Sequence, residues 1–228
     1  MRMPRVSLAV LVVLFSVVQL RADQPATAPA ISGTLGAPIQ LFNGKDIDSW
    51  KWVARPPKAG TTQPVDLASP FAVRDGLLHS NGKPVGYLRT PDVYDNYILT
   101  VEQRHVTKGN GGVLFAISGP DKVWPHCLEA QGQNGEEGDI RNVADFELNM
   151  DPSRLEPKRL RRIGPSSEKP VGEWETIEVI VDHGNLTLKV NGQLQNLATY
   201  SEELAGYIGL QAEGAEMEFR KVELTPIE

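Results

Sequence analysis

An all-β fold, two antiparallel sheets packed as a sandwich, is what this 228-residue chain predicts. Three observations carry that expectation. Short segments alternate apolar and polar residues at period two, as half-buried strands do. Turn pairs such as Asn43-Gly44, Asp75-Gly76 and Asn191-Gly192 separate them. No segment sustains a 3.6-residue apolar repeat, so many short strands with turns between them leave a sandwich as the way to bury the apolar faces.

Taken in order, the chain opens with Arg2 and Arg5, an apolar run from Val6 to Leu20, and then Arg21-Ala22. Basic, apolar and small-residue regions in that order describe a secretory signal peptide over residues 1–22, cleaved near Ala22. The run is shorter than the roughly 20 residues a membrane span needs. The expected product is therefore secreted or periplasmic, with no stable membrane insertion after processing. Residues 23–38 are rich in Ala, Pro, Thr and Gly and read as a flexible lead-in. One domain follows over residues 39–228.

Within that domain the first strand is Ile39–Phe42, closed by Asn43-Gly44. Trp50 and Trp52 precede a Pro/Gly/Thr loop from Arg55 to about Ser69. Phe71–Val73 and Leu77-Leu78 flank Asp75-Gly76 as a hairpin. Gly86–Arg89 and Tyr97–His105 are further strands, followed by Val113–Ile117, Cys127–Gln131 and a weaker segment over Val143–Asn149. Glu173–Asp182 places Ile177, Val179 and Val181 inward; His183-Gly184-Asn185 turns it into Leu186–Val190. Tyr207–Gln211 and Met217–Leu224 complete the set.

The formal charge is −6, and loss of Arg2, Arg5 and Arg21 would take it to about −9. An acidic chain gains nothing from a phosphate backbone, which excludes nucleic acid as the expected partner. The local basic cluster of Arg154, Lys158, Arg159, Arg161 and Arg162, punctuated by Pro157 and Pro165 and without interleaved aromatics, reads as a solvated loop. A single cysteine, Cys127, rules out an internal disulfide. His126 beside it would point to the opposite strand face, so a Cys–His dyad is not expected.

The stretch Val101–Asp139 is the most informative. Alternation puts Glu102 and Arg104 on one side of their strand, and Glu129 and Gln131 on one side of theirs, with Trp124 and His126 nearby. If the two strands are neighbours, one sheet face gathers carboxylate, guanidinium and amide groups beside an aromatic rim. That is the chemistry of a sugar-binding groove, and carbohydrate is the expected partner. The ordinary alternative for Glu102 and Arg104 is pairing with charges on adjacent strands.

Several segments together resemble the 3-keto-disaccharide hydrolase domain family: Leu41–Asp46 with Trp50, Val73–Leu77, the Gly-rich turn before Val113, Trp124-Pro125 with Leu128–Gln131, and Gly138-Asp139. Gly172–Trp174, Val190–Gly192 and Gly206–Gln211 before Phe219-Arg220 extend the match to most of Leu41–Leu224. The resemblance implies a concanavalin A-like jelly roll of the lectin/glucanase type, acting on glycosides oxidised at C3. One departure is Ala116, where the family often carries an Arg; alternation assigns that position to the groove face.

A C3 ketone acidifies the C2 hydrogen, so a base could remove it and the enolate expel the C1 substituent, with hydration to follow. Such chemistry needs a carboxylate or His tuned near working pH, and a donor or metal ion for the enolate oxygen. Glu129 is the first candidate base, Glu102 the second; Arg104 or His126 would hold the oxyanion. Asn110, Trp124, Gln131, Asp139, Gln211 and Glu213 complete the candidate binding residues, although Asp139 could equally cap a loop and Glu213 a turn. A divalent cation is compatible with the chemistry, but no His/Cys set defines a site for one. Two rivals stay open. A retaining glycosidase needs two facing carboxylates, and Glu129-Ala-Gln131-Gly-Gln133 offers amides instead. A carbohydrate-binding module without catalysis shares the groove, and the absent Arg favours it.

Overall fold

The computed structural model describes residues 26–61 and 66–228; the expected signal peptide lies outside them. Seventeen strands follow one another among the described residues. They are β1 (Ile39–Gln40), β2 (Lys51–Ala54), β3 (Phe71–Arg74), β4 (Leu77–Ser80), β5 (Gly86–Arg89), β6 (Tyr97–His105), β7 (Val113–Ser118), β8 (His126–Ala130) and β9 (Ile140–Asn142). Then come β10 (Leu148–Asn149), β11 (Leu155–Glu156), β12 (Arg159–Leu160), β13 (Glu175–Asp182), β14 (Asn185–Val190), β15 (Gln193–Tyr200), β16 (Tyr207–Ala212) and β17 (Met217–Pro226). The only helical turn among these residues is Pro152–Arg154.

Two antiparallel sheets form the expected jelly-roll sandwich. One runs β10-β15-β14-β13-β6-β17-β4-β3, with β1 added along β17; the other runs β11-β12-β9-β8-β7-β16-β5-β2. The main core lies between them. Alternation sends Leu99 and Val101 of β6, Ile177, Val179 and Val181 of β13, and Leu186, Leu188 and Val190 of β14 into it from one sheet. Leu88, Val113, Phe115, Leu128, Ile140 and Leu210 enter from the other. Removing that apolar surface from water, at about 25 cal/mol per Å², is the chief stabilising contribution. Five strands escape the sequence reading: β2, β9, β11, β12 and β15. In β15 the buried positions include Gln195 and Asn196, so no apolar alternation marks it. The strand expected over Val143–Asn149 shrinks to Leu148-Asn149.

Three expectations change. First, β6 and β8 lie in different sheets, so Glu102 and Arg104 share no face with Glu129. They sit on the outer face of the nine-stranded sheet. Arg104 bonds Glu218 at 2.6 Å and Arg220 bonds Glu102 at 2.5 Å; both guanidiniums stack on Trp174, at 4.7 and 4.6 Å. This is the cross-strand pairing alternative. Second, the lead-in is fastened from Ser32 onward. Thr34 and Gly36 bond the backbone of Glu228 and Pro226, and Ser32 bonds Asp182. Backbone bonds to an edge leave no apolar signature, which is why composition alone suggested flexibility.

Third, β7 carries a bulge. Phe115 pairs with Leu128 but Ser118 with His126, three residues against two, and the same slip appears against β16. Ala116 is the extra residue, with φ of 52°, and it joins Phe115 in the main core while Leu114 and Ile117 share the outer face. Gly206 permits this close passage, since a Cβ there would lie 2.3 Å from the Ala116 carbonyl carbon. Ala116 is therefore not the groove position that strict alternation gave it.

Candidate active-site groove

The outer face of the eight-stranded sheet bears a small second apolar cluster, formed by Val53, Tyr87, Leu114, Ile117 and Cys127. Beside it lies a groove of about 550 Å³, within the range of small-ligand sites, lined by Asn110, Trp124, Glu129, Gln131, Arg141, Val143, Lys158, Gln211 and Glu213. Strand alternation brings Cys127, Glu129 and Gln131 of β8 and its extension to this face, because Leu128 and Ala130 are committed to the core. Register then sets Arg141 of β9 directly opposite Glu129.

Glu129 is 6% exposed, and its Oε1 is buried with no hydrogen-bond partner among the described residues. Burial pushes its carboxyl up to about 8; Glu213 and Glu136 raise it further, and only Arg141 opposes them. Burial also raises Glu213, against Arg55, Asn110 and Arg141. Asn110 donates to Glu213 at 2.5 Å, and Arg55 lies 3.9 Å from the same carboxylate and 5.4 Å over the Trp124 ring. Trp124, Arg55, Glu213 and Asn110 thus follow one another as a chain of contacts along one side of the groove. Gln211 Oε1 accepts from the Gly112 N–H at 2.9 Å and Gln131 Oε1 from the Gln133 N–H at 2.8 Å, leaving each amide NH₂ as the group to offer a ligand. Desolvation pushes the Cys127 thiol up as well, so it is no thiolate nucleophile.

Six of the sequence candidates, Asn110, Trp124, Glu129, Gln131, Gln211 and Glu213, meet in this groove. Four do not line it. Glu102 and Arg104 belong to the other sheet, as described. His126 has the core-side parity of Leu128: its ring packs 4.2 Å from Phe146 and its Nδ1 lies 2.9 Å from Ser118 Oγ. Asp139 is fully buried and accepts from Arg159 Nε and the Arg162 backbone N–H, both at 2.7 Å. It ties down the β11–β12 hairpin, the structural role left open for it. The basic cluster is accordingly a fixed hairpin and not a free loop: Arg159 also bonds Glu136, and Arg154 bonds Asn196 and the Leu197 carbonyl.

Arg141, Val143 and Lys158 are groove residues that the sequence reading missed. Lys158 sits at the hairpin tip with φ of 60°. Gly138-Asp139 followed by Ile140-Arg141-Asn142 held a signal for Arg141, one apolar residue between polar ones, but three residues are too few to establish a period.

Close approach to Glu129 depends on Gly112, where a Cβ would lie 2.6 Å from Glu129 Oε1 and 2.8 Å from the Ala130 carbonyl oxygen. Gly112→Ala should cost about 1–3 kcal/mol by overpacking and displace the carboxylate. Denaturation and turnover measurements check this, with Gly164→Ala, whose Cβ meets nothing within 4 Å, remaining close to the parent.

Comparison with known proteins adds to this geometry. The family model described as the 3-keto-alpha-glucoside-1,2-lyase-like domain matches residues 37–225. Among curated proteins none matches the chain. Solved structures share the fold. A putative glycosyl hydrolase from Parabacteroides distasonis superposes with a TM-score of 0.61 at 18% identity, over 84% of this chain and 94% of its own. The carbohydrate-binding module CBM66 from Bacillus subtilis gives 0.52 at 11%, over 77% and 94%. LamA from Zobellia galactanivorans, solved with laminaritriose and laminaritetraose, gives 0.53 at 14%, over 86% and 100%.

Proposed function

The chain belongs to the 3-keto-alpha-glucoside-1,2-lyase-like domain family, and on that premise we propose that its groove cleaves 3-keto-glycosides by elimination across C1 and C2. The observation that carries the reading is Glu129, a buried carboxylate with an unpaired oxygen on the groove floor and a raised pKa. Such a group is a competent base for a carbon acid near neutral pH. It takes the C2 proton; the C2–H electron pair forms the enolate; the enolate collapses with loss of the C1–O bond. The departing alkoxide receives a proton from water or from Glu213, whose raised carboxyl favours the acid form. Arg141 and Lys158 are the cations available to the ketone oxygen as charge develops there. They are the groove cations, a part that strict alternation assigned to an Arg at position 116. Trp124 offers a face for the ring, and Asn110, Gln131 and Gln211 offer polar contacts for hydroxyls. The expected export to the secreted or periplasmic space accords with a glycoside substrate.

The test compares a nitrophenyl 3-keto-glucoside with the unoxidised glucoside. Release of nitrophenol from the keto sugar alone is the expected result. Release from both would assign Glu129 and Glu213 to direct hydrolysis. Saturable binding of either sugar with no release would assign the groove to a carbohydrate-binding module.

A further inference from the structure

Three ionisable side chains converge inside the sandwich, apart from the groove lining. His105 ends β6 and Glu175 begins β13; both continue core-facing rows of their strands. Glu137 reaches them from the segment joining β8 to β9. His105 and Glu175 are each 3% exposed and Glu137 is fully buried. His105 Nδ1 lies 3.4 Å from Glu137 Oε1 and 3.8 Å from Glu175 Oε1, and one donor atom from each residue lies within 4.8 Å of the others.

The hydrogen-bond pattern leaves lone pairs of all three residues facing one another. His105 Nε2 is 2.9 Å from the Gly132 carbonyl oxygen, which can only accept, so Nε2 carries the proton. In the neutral ring Nδ1 then aims a lone pair at two carboxylates. Glu175 Oε2 is satisfied by the Lys169 N–H at 3.2 Å, which leaves Oε1 toward His105. Among the described residues both oxygens of Glu137 are buried with no hydrogen-bond donor, their acidic neighbour being the Glu175 carboxyl, and Oε1 of Gln103, the inward residue opposite Glu175, is likewise without one. Among the described residues no Lys or Arg pairs with Glu137 or Glu175. Unpaired buried carboxylate oxygens are strongly unfavourable.

We propose that His105, Glu137 and Glu175 bind a divalent transition-metal ion, with Zn²⁺ as its representative, in a structural site that joins the two sheets. One imidazole nitrogen and two carboxylate oxygens suit Zn²⁺, whereas Ca²⁺ takes six to eight oxygens. Tetrahedral bonds of 2.0–2.1 Å set neighbouring ligand atoms about 3.3 Å apart, close to the 3.4 Å between His105 and Glu137. The Gly132 carbonyl supplies the outer hydrogen bond that orients a metal-binding His. Two ligands come from the nine-stranded sheet and one from the segment that follows Gln131. The ion therefore fastens the end of the groove strand to the opposite sheet, in a chain whose single cysteine allows no internal disulfide.

Because the site is buried, the test unfolds the full chain, strips it with a chelator and refolds it with and without Zn²⁺. Mass spectrometry should find one Zn²⁺ per chain. At a hundredfold excess over the dissociation constant the melting temperature should rise by about 5–10 °C. Glu137→Gln, equal in size, should retain no Zn²⁺ and melt at one temperature in both conditions. Should the parent refold to the same melting temperature with and without Zn²⁺ and hold none, the three groups share a proton and the proposal fails. It also fails if Glu137→Gln and Glu175→Gln retain stoichiometric Zn²⁺. If neither variant folds, refolding with Co²⁺ decides on the parent alone, through the presence or absence of d–d bands from a bound nitrogen/oxygen site.

Discussion

Glu129→Gln should lower kcat on a 3-keto-glycoside by about 10²–10⁴-fold, the usual contribution of a positioned general base. Substrate binding should change far less, because glutamine keeps the size of the side chain. The parent should also show a pH profile that the variant lacks. Only ionised Glu129 accepts the C2 proton, so kcat/KM should rise with pH and level off above about 8, where burial has placed this carboxyl. Near-normal turnover in Glu129→Gln would move the base to Glu213, the other carboxylate of the groove.

The same carboxyl makes an opposite demand on stability. Folding holds the Glu129 proton more tightly than the unfolded chain does. The favourable contribution is therefore complete below the ordinary glutamate pKa and is lost as pH rises through about 8. Glu129→Gln cannot ionise, so between pH 5 and 9 its melting temperature should fall less than the parent's. On the role proposed for Glu129, its burial is a case of stability given up for function.

How much of this was legible in the sequence depends on which interaction sets each feature. Alternation placed Leu99, Val101, Ile177 and Leu188 correctly because each contributes to one apolar face, and it set Glu129 and Gln131 on the other. It could not say which strands are neighbours. The partners of β6 are β13 and β17, more than 70 residues away, so the adjacency expected of Glu102 and Glu129 rested on closeness in sequence alone. Arg141 needed the register of β8 against β9, which the Gly132–Asp139 segment fixes through backbone and ion-pair contacts that leave no periodic trace. Ala116 shows the same limit from another direction: one inserted residue reverses every later assignment on its strand.

Phe115→Ala should destabilise the protein by about 3–5 kcal/mol, the cost of truncating a fully buried aromatic side chain. Phe115 stands immediately before the bulge, paired with Leu128 on the strand that carries Glu129. Its ring and Ala116 both face the main core, so the surroundings have two consecutive inward residues to hold in place. Chemical denaturation should show a lowered midpoint with the slope unchanged, the sign of altered stability without altered cooperativity. Ile117→Ala, on the outer face beside the groove, removes a smaller side chain from the smaller cluster and should cost less than Phe115→Ala. Equal losses, or a larger one at Ile117, would place the bulge elsewhere in β7 and return Ala116 to the groove face. A loss within error at Phe115 would reverse the inward assignment of the whole strand, and with it the exposure of Glu129 to substrate.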